Sequence, residues 1–378
     1  MQMRALGIIS AMPEKRIHNF NAGPAALPLP VLERVQEELI ALPEAGMSVM
    51  EMSHRSSQFE AINDAAANGI KKLLGLNDEF SVLFLQGGAS LQFWMAPLNL
   101  LSEGQSADYL LSGDWGVKAL AEAQRAAKHC GAQINVAATT ESESFARVPT
   151  QSQLQLDPNA AFVHITTNET IGGVQWQSEP DTKGVLLVAD SSSDILSRPI
   201  DVSRYGLTYA GAQKNVGPSG VTVVIVRNDF LPDAKRDLPT MLDYQTHLKN
   251  KSLYNTPNTF GIYMIGLVCE WIESLGGLEG MQKRNEEKAA AIYDVIDGSD
   301  FFRGHAQRES RSRMNITWRL PDEELEKRFA KEAESAGMTG LKGHRSVGGL
   351  RASIYNAVPL ESVRALTDFM REFERKNG

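Results

Sequence analysis

A lysine enclosed by small residues is the first group in this sequence whose surroundings suggest chemistry. Lys214 lies in the segment Gly211-Ala212-Gln213-Lys214-Asn215-Val216-Gly217-Pro218, directly after the apolar run Leu207 to Ala210. Surface lysines usually lie on polar helices, whereas glycine and proline favour a tight loop. The setting therefore favours a functional amine, with a solvated loop lysine as the alternative.

A carboxylate follows the preceding apolar run in the same way. Val185 to Ala189 ends at Asp190, and Ser191, Ser192 and Ser193 come next. A carboxylate at the end of a strand either caps a following helix or faces a cationic group of a ligand. For Asp190 taken alone, the capping role is favoured.

A third loop has the composition of an anion-binding turn. The apolar run Ser81 to Leu85 is followed by Gln86-Gly87-Gly88-Ala89-Ser90 and then by an apolar helix that starts near Leu91. Small residues let the backbone N–H groups of a helix N-terminus surround an anion, and Ser90 adds a hydroxyl. The alternative is an ordinary strand-to-helix turn.

Together the three loops provide the groups that pyridoxal phosphate requires. Lys214 can form a Schiff base with the cofactor, Asp190 can keep the pyridine nitrogen protonated, and the glycine-rich turn can hold the phosphate. Trp115, in Gly113-Asp114-Trp115-Gly116, can stack on the ring or be a core tryptophan. Thr170 can hydrogen-bond the ring oxygen or merely shape a turn.

The charge of the chain limits the class of ligand. It has 38 Lys and Arg against 46 Asp and Glu, a net charge of −8, which argues against binding nucleic acid or a membrane surface. His54-Arg55 and the segment Lys342 to Arg351 are local basic exceptions. They suit a small polyanion, with a solvated basic loop as the alternative. Because GxGxxG, Walker-type and HExxH motifs are absent, we expect no dinucleotide and no metal.

Alternating apolar runs and helix-like segments predict the elements that position these loops. We expect an α/β fold with a mostly parallel sheet covered by helices, with ligands at the carboxyl ends of the strands. One helix should begin at Ser57, with Glu60 completing a capping box, and end at Gly75. The expected sheet strands are Ser81 to Leu85, Ala107 to Leu111, Ala160 to Thr166, Val185 to Ala189, Leu207 to Ala210 and Val221 to Val226.

The pattern of predicted strands and helices changes in the last hundred residues. Two strand candidates, Met314 to Trp318 and Leu350 to Tyr355, alternate with helices there, which predicts a smaller α+β domain. The predicted division is an N-terminal extension without an assigned role at residues 1–18, a large cofactor-binding domain at 19–277, and a small domain at 278–378. The N-terminal part of the large domain should contact the small domain.

Cysteine use and hydropathy predict the compartment. Cys130 and Cys269 lie far apart in helix-like segments, so we expect neither a disulfide nor a redox pair. No apolar run approaches the roughly 20 residues needed to span a bilayer. The short apolar stretch within Met1 to Pro13 lacks a clear cleavage site. These features predict a cytoplasmic protein.

Several longer segments make the chain resemble the phosphoserine aminotransferases, which are pyridoxal phosphate enzymes of fold type I and class V. The resemblance runs from about Asn19 to Gly378. It implies a seven-stranded, mostly parallel sheet in the large domain. Its specific segments are Phe20-Asn21-Ala22-Gly23-Pro24-Ala25, Met52-Ser53-His54-Arg55, Asn168-Glu169-Thr170-Ile171, Tyr209-Ala210-Gly211-Ala212-Gln213-Lys214-Asn215, Tyr254-Asn255-Thr256-Pro257 and Gly343-His344-Arg345.

The resemblance implies a role for each candidate residue. Lys214 and Asp190 would be the catalytic residues, with one pyridoxal phosphate per subunit on Lys214. The cofactor contacts would come from Ala89, Ser90, Trp115, Thr170, Asp190, Gln213, Lys214, Asn255 and Thr256. The substrate contacts would come from His54, Arg55, His344, Arg345 and Arg351. Some members have an arginine where this chain has Ser90, which affects the expected contacts to the substrate phosphate.

The resemblance also implies the reaction and the assembly. The expected activity is reversible amino transfer between L-glutamate and 3-phosphohydroxypyruvate, giving 2-oxoglutarate and O-phospho-L-serine. The analogous step toward vitamin B6 would form 4-phosphohydroxy-L-threonine. Asn255 and Thr256 would reach the cofactor phosphate of the second subunit, so the expected active unit is a homodimer with shared sites.

Three alternatives remain open on the sequence. Another class V aminotransferase, of the alanine–glyoxylate or serine–pyruvate type, would have little use for the basic residues at His54, Arg55, His344 and Arg345. A cysteine desulfurase fits poorly, since both cysteines lie in helical contexts. A pyridoxal phosphate-binding protein without catalysis would not require every one of these groups.

Overall fold

The computed structural model describes residues 16–232, 237–345 and 347–378. Most of the predicted N-terminal extension, residues 1–15, therefore lies outside the described residues. The strands are β1 His18–Asn19, β2 Phe80–Leu85, β3 Ser106–Leu111, β4 Gln133–Thr139, β5 Val163–Thr166, β6 Asn168–Glu169, β7 Val174–Gln175, β8 Leu187–Asp190, β9 Tyr205–Gly211, β10 Thr222–Arg227, β11 Arg303–Gly304, β12 Asn315–Arg319, β13 Met338–Thr339 and β14 Leu350–Ser353. The α-helices are α1 Leu29–Glu38, α2 Ser57–Leu74, α3 Gly88–Leu100, α4 Asp114–Cys130, α5 Tyr244–Lys249, α6 Thr259–Ser274, α7 Gly277–Asp297, α8 Glu323–Ser335 and α9 Leu360–Asn377.

A seven-stranded sheet brings the candidate loops to one edge. Its spatial order is β2-β10-β9-β8-β5-β3-β4, and β10 runs antiparallel to both of its neighbours while the other pairs are parallel. Because β10 reverses direction, β2 runs parallel to β9. The carboxyl ends of β2, β3, β5, β8 and β9 therefore share one edge, where ligands bind in such sheets. The predicted fold class is confirmed.

Helices cover both faces of this sheet. One apolar cluster joins α1, α2 and α6 to β10 through residues that include Val31, Phe59, Ile265 and Val223. A second cluster joins α3 and α4 to the opposite face. Strands covered on both faces must be apolar throughout, which explains why the sequence shows them as continuous apolar runs. Edge strand β4 begins with alternating polar and apolar residues and is partly exposed, so that signal does not detect it.

The capping prediction for α2 was wrong by one residue. Ser56, not Ser57, is the N-cap, and its Oγ accepts the N–H of Phe59 at 3.2 Å. Gly75 ends the helix as predicted, with a left-handed φ of 64°. Serines occupy both positions, so local sequence could not distinguish them.

A second apolar core lies in the C-terminal part of the chain. β11, β12 and β14 form an antiparallel sheet, and its core includes Trp318, Phe329 and Phe373. β1 pairs in parallel with β13, and Phe20 packs into the same core. Residues 18–20, which precede α1, are thus attached to this C-terminal core. The boundary between the two domains stays a prediction.

Within the described ranges, no single helix is long and apolar enough to cross a membrane. Taken together, α6 and α7 have the length and apolar composition of a membrane span, but the two helices are bent by 80° at their junction.

Candidate active site

Lys214 lies in the loop after β9, at the edge where the strands end. Its Nζ donates a hydrogen bond to Thr170 Oγ1 at 2.8 Å. Gly23 packs over its stem, since a Cβ at Gly23 would lie 3.5 Å from Lys214 Cγ. Burial lowers the pKa of Lys214 to about 8, and the Asp190 carboxylate partly offsets this effect. A lysine with such a pKa has a usable uncharged fraction near neutral pH.

Asp190 is the last residue of β8 and faces the same space. It pairs in register with Thr166 of β5 and Tyr209 of β9, so it lies on the central strands of the sheet. Its Oδ1 accepts the N–H of Ser192 at 2.9 Å. Burial raises the pKa of Asp190, whereas Ser192 and the Lys214 ammonium lower it. A cationic group placed beside this carboxylate would keep it ionised.

Trp115, in the first turn of α4, forms one wall of the site. Lys214 Nζ lies 5.8 Å from the centroid of its ring, and Lys118 Nζ lies 4.0 Å from it. The indole Nε1 is buried and has no hydrogen-bond partner among the residues that the structure describes. The ring is therefore placed to cover a flat group bound beside Lys214.

The turn between β2 and α3 has the geometry of an anion cradle. Gly87 and Gly88 have φ of 89° and 65°, conformations that favour glycine. The first turn of α3 contains no acidic residue and its N-cap makes no side-chain hydrogen bond. A Cβ at Gly88 would meet no other described segment within 4 Å, so the turn is open on that side. Ala89 and Ser90 lie in this first turn, and Ser90 is exposed.

Arg351, on β14, brings a buried cation into the site. One guanidinium nitrogen donates to the carbonyl of Thr170 at 3.2 Å. Its Nε is buried without a hydrogen-bond partner, and no carboxylate within the described ranges forms an ion pair with it. Burial lowers the pKa of Arg351. An unpaired buried guanidinium is suited to the carboxylate of a ligand.

A cavity of about 470 Å³ extends from this arginine. It lies between the β6–β7 hairpin, which follows β5, and the C-terminal core. Its lining includes Asp114, Ile171, His305, His344 and Arg351. Burial lowers the pKa of His344, and Arg351 and Lys118 lower it further. Arg345 instead lines an adjoining recess with Lys342 and Lys327. His344 lines both spaces, so the loop that carries it separates them.

The other predicted site residues are not brought to Lys214 within one chain. His54 and Arg55 precede α2 and contact each other, with 3.4 Å between Arg55 Nε and His54 Nε2. Asn255 contacts Thr256, whose carbonyl lies 3.5 Å from Gln86 Nε2. In the described parts of the chain, no hydrogen bond or ion pair joins these four residues to Lys214. Gln213 accompanies Lys214, and its carbonyl accepts the N–H of Ala25 at 2.9 Å.

Glu169 is a site residue to which the sequence analysis gave no role. It is fully buried, and its carboxylate accepts the backbone N–H groups of Trp115 and Gly116. The available signal was its place beside Thr170, in a segment otherwise without charge. Its contact with α4 joins residues 54 and 53 positions apart in the chain, which no local pattern reveals.

The donor set of the site fits pyridoxal phosphate. A buried amine of lowered pKa, a strand-end carboxylate and an indole without a hydrogen-bond partner in the described residues lie close together, and an open helix N-terminus follows β2 at the same edge of the sheet. Each matches one part of the cofactor: aldehyde, pyridine nitrogen, ring face and phosphate. Further groups for a substrate, Arg351 and His344, line the adjoining cavity.

Comparisons with known proteins agree on one family. The family model described as aminotransferase class-V matches residues 17–366. A phosphoserine aminotransferase of Desulfosudis oleivorans is 57% identical over 365 residues, which covers 96% of this chain and 99% of that protein.

Solved structures agree with this result. The phosphoserine aminotransferase of Bacillus circulans subsp. alkalophilus superposes with a TM-score of 0.92 at 56% identity, covering 96% of this chain and 99% of that one. The pyridoxal phosphate-bound phosphoserine aminotransferase of Trichomonas vaginalis gives 0.89 at 39% identity, covering 94% and 100% respectively.

Proposed function

Because this chain belongs to the phosphoserine aminotransferase family of the class-V aminotransferases, we propose that it exchanges an amino group between L-glutamate and 3-phosphohydroxypyruvate. The products are 2-oxoglutarate and O-phospho-L-serine. The observation that carries the proposal is the proximity of Lys214, Asp190 and Arg351, an arginine that forms no ion pair within the described part of the chain. This set combines an amine for transfer with a cation for a substrate carboxylate.

Pyridoxal phosphate is the cofactor that the site is built to hold. Lys214 would bind it as a Schiff base, Asp190 would face the ring nitrogen, and Trp115 would cover the ring. Thr170 would contact the ring oxygen, while Ala89, Ser90 and Gln213 would hold the phosphate. When bound, the cofactor supplies an electron-accepting ring that stabilises negative charge at the substrate Cα.

The residues of the chain carry out the proton transfer. Released Lys214 takes the proton from the substrate Cα in its uncharged form and, once protonated, serves as an acid in the same space. Its pKa of about 8 places both forms within reach at neutral pH. Asp190 would be held ionised by the protonated ring nitrogen of the bound cofactor and would in turn keep that nitrogen charged. Trp115 would exclude water from one face of the bound ring.

Substrate selection follows from the basic groups. Both amino donor and acceptor carry an α-carboxylate and a second anionic group. Arg351 is fixed to the carbonyl of Thr170 and can bind the α-carboxylate with its remaining donors. His344, Arg345, His54 and Arg55 would bind the distal carboxylate or phosphate. One basic pocket thus serves both half-reactions, which predicts ping-pong kinetics.

We also propose that the active unit is a homodimer with shared sites. Large apolar side chains are exposed on the chain: Ile40 is 86% exposed, Met50 57%, and Tyr254, which directly precedes Asn255, 46%. Such side chains support an interface. In the dimer, Asn255 and Thr256 would contact the cofactor phosphate of the other subunit. Mixing two inactive variants, Lys214→Ala and Thr256→Ala, should restore activity in hybrid dimers.

A comparison of two keto acids tests the proposed substrate. Holoenzyme and L-glutamate are given 3-phosphohydroxypyruvate or hydroxypyruvate, and 2-oxoglutarate is measured by a coupled dehydrogenase. We expect kcat/KM to favour the phosphorylated acid by about 100-fold or more, because several charge-assisted hydrogen bonds depend on the phosphate. Equal values for the two acids would contradict the proposal. Alanine with glyoxylate serves as the comparison for the alternative aminotransferase type.

A further inference from the structure

A buried carboxylate that the scheme above does not use lies between Trp115 and Thr170. Glu169 Oε2 accepts the N–H of Trp115 at 3.0 Å, and Oε1 accepts that of Gly116 at 2.9 Å. Both N–H groups belong to the first turn of the 17-residue helix α4, where they have no partner within the helix. One carboxylate therefore caps α4 from a distant part of the chain.

The backbone at two glycines of α4 and its N-cap approaches this carboxylate closely. A Cβ at Gly113 would lie 2.4 Å from Glu169 Cδ, and one at Gly116 would lie 3.3 Å from Oε1. The φ of Gly113 is 172°, which any residue adopts, so the glycine is required by space and not by conformation. The contact between Glu169 and α4 is thus tightly enclosed.

We propose that Glu169 is a positioning residue that fixes the ring of Trp115 relative to Lys214. Glu169 directly precedes Thr170, whose hydroxyl accepts the hydrogen bond from Lys214 Nζ. One short segment therefore anchors both the amine and the tryptophan. The inference rests on the proposed function only where it assumes that the ring covers the cofactor. The contact itself does not depend on the substrate.

The charge of Glu169 couples this contact to pH. Burial raises the pKa of Glu169 to about 7, the two N–H groups oppose this shift, and Asp190 and Asp114 add to it. Lys214 is the cation that faces it. Protonation turns an accepting oxygen into a donor opposite an N–H group, which removes one hydrogen bond. The restraint on Trp115 should therefore weaken as the pH falls through neutrality.

Tryptophan fluorescence of the cofactor-free full chain tests the proposal without turnover. The difference between wild type and Trp115→Phe isolates the signal of Trp115, and it is followed from pH 5.5 to 8.5. We expect a transition centred near pH 7 that is absent from Glu169→Gln. Asp108→Asn is the matched control, since Asp108 is also a fully buried carboxylate that accepts a backbone N–H, from Asp157, but far from the site. Its transition should match that of wild type.

Kinetics of the holoenzyme give a second measurement. Glu169→Gln should lower kcat about 10- to 100-fold with KM little changed, because a misplaced ring affects the reaction more than substrate capture. Gly113→Ala, which crowds the carboxylate from the other side, should give the same pattern and replaces Glu169→Gln if that variant does not fold. Normal kcat together with an unchanged fluorescence transition in either variant would overturn the proposal. The keto-acid comparison could also show no preference for 3-phosphohydroxypyruvate while the pH transition of Trp115 is still present in wild type and absent from Glu169→Gln. That result would overturn only the proposed substrate.

Discussion

The ε-amino group of Lys214 lies 2.8 Å from the hydroxyl of Thr170, although 44 residues separate them in the chain. Thr170 belongs to the hairpin after β5, whereas Lys214 follows β9, and β8 lies between these two strands. The hydroxyl is therefore held across a strand that ends in Asp190. This arrangement makes the amine, the carboxylate and the hydroxyl parts of one site, and the predictions below follow from it.

Removal of the amine should abolish transfer while preserving the fold. In Lys214→Ala, turnover should fall by at least about 1,000-fold, since no neighbouring group can replace the amine in binding the cofactor or moving the Cα proton. The assay is 2-oxoglutarate production with 3-phosphohydroxypyruvate, and gel filtration reports the assembly. Lys118→Ala, which also removes an amine beside Trp115, serves as the control. Substantial activity in Lys214→Ala would disprove the role of this lysine.

The buried amine should also make stability depend on pH. In the cofactor-free protein, the pKa of Lys214 is lowered by burial from 10.5 to about 8. Between these values the unfolded chain binds more protons than the folded one, so stability increases with pH across this window. Well below pH 8 the full penalty of roughly 3 kcal/mol applies. Lys214→Met should therefore unfold at a higher temperature than wild type at pH 7, and the difference should shrink toward pH 10.

Asp190 should be needed for the chemical step more than for binding substrate. Asp190→Asn keeps the shape but loses the charge that would face the ring nitrogen of the proposed cofactor, so kcat should fall about 100- to 1,000-fold with a smaller change in KM. The matched control is Asp194→Asn, because Asp194 is equally buried in the same segment but contacts Thr167 and Gln175. Equal losses of kcat in the two variants would indicate a general structural effect.

The basic loop before β14 should determine the preference for phosphate. Arg345→Gln should raise KM for 3-phosphohydroxypyruvate about tenfold or more and leave kinetics with hydroxypyruvate nearly unchanged. Arg351→Lys should instead impair both keto acids, since each carries the α-carboxylate. For each variant, the ratio of kcat/KM with 3-phosphohydroxypyruvate to kcat/KM with hydroxypyruvate measures this contrast. A parallel loss on both acids in Arg345→Gln would remove Arg345 from the phosphate site.

The left-handed glycine before α3 should be required for holding the cofactor. Gly87→Ala places a side chain at φ 89° and a Cβ 2.6 Å from Leu91 Cδ2, which costs roughly 1–3 kcal/mol. Cofactor dissociation should become faster as the turn shifts. Gly104→Ala carries similar strain, with φ 77° and an open surrounding, in a remote loop. It should lose stability without loss of cofactor affinity, as followed by absorbance during dialysis.

Some elements could be predicted from local pattern because their physics is local. The strands that end at Asp190 and before Lys214 are buried on both faces, so they stand out as apolar runs. Gly75 ends α2 because a left-handed residue is required there. Edge strand β4 was missed because polar and apolar residues alternate at its start. The N-cap at Ser56 was missed because the next residue, Ser57, is also a serine.

The sequence by itself determined which groups could do chemistry in this protein: an amine, a carboxylate and a glycine-rich turn suited to an anion, each at the end of an apolar strand. Only the tertiary structure decided how these groups meet. The reversed strand β10 makes β2 parallel to β9, which brings the turn at Gly87 to the same edge as Lys214. The contact of Glu169 with the first turn of α4 likewise arises from packing of segments distant in the chain. Such contacts depend on the order of strands and on enclosed volume, which no periodicity in a linear sequence encodes.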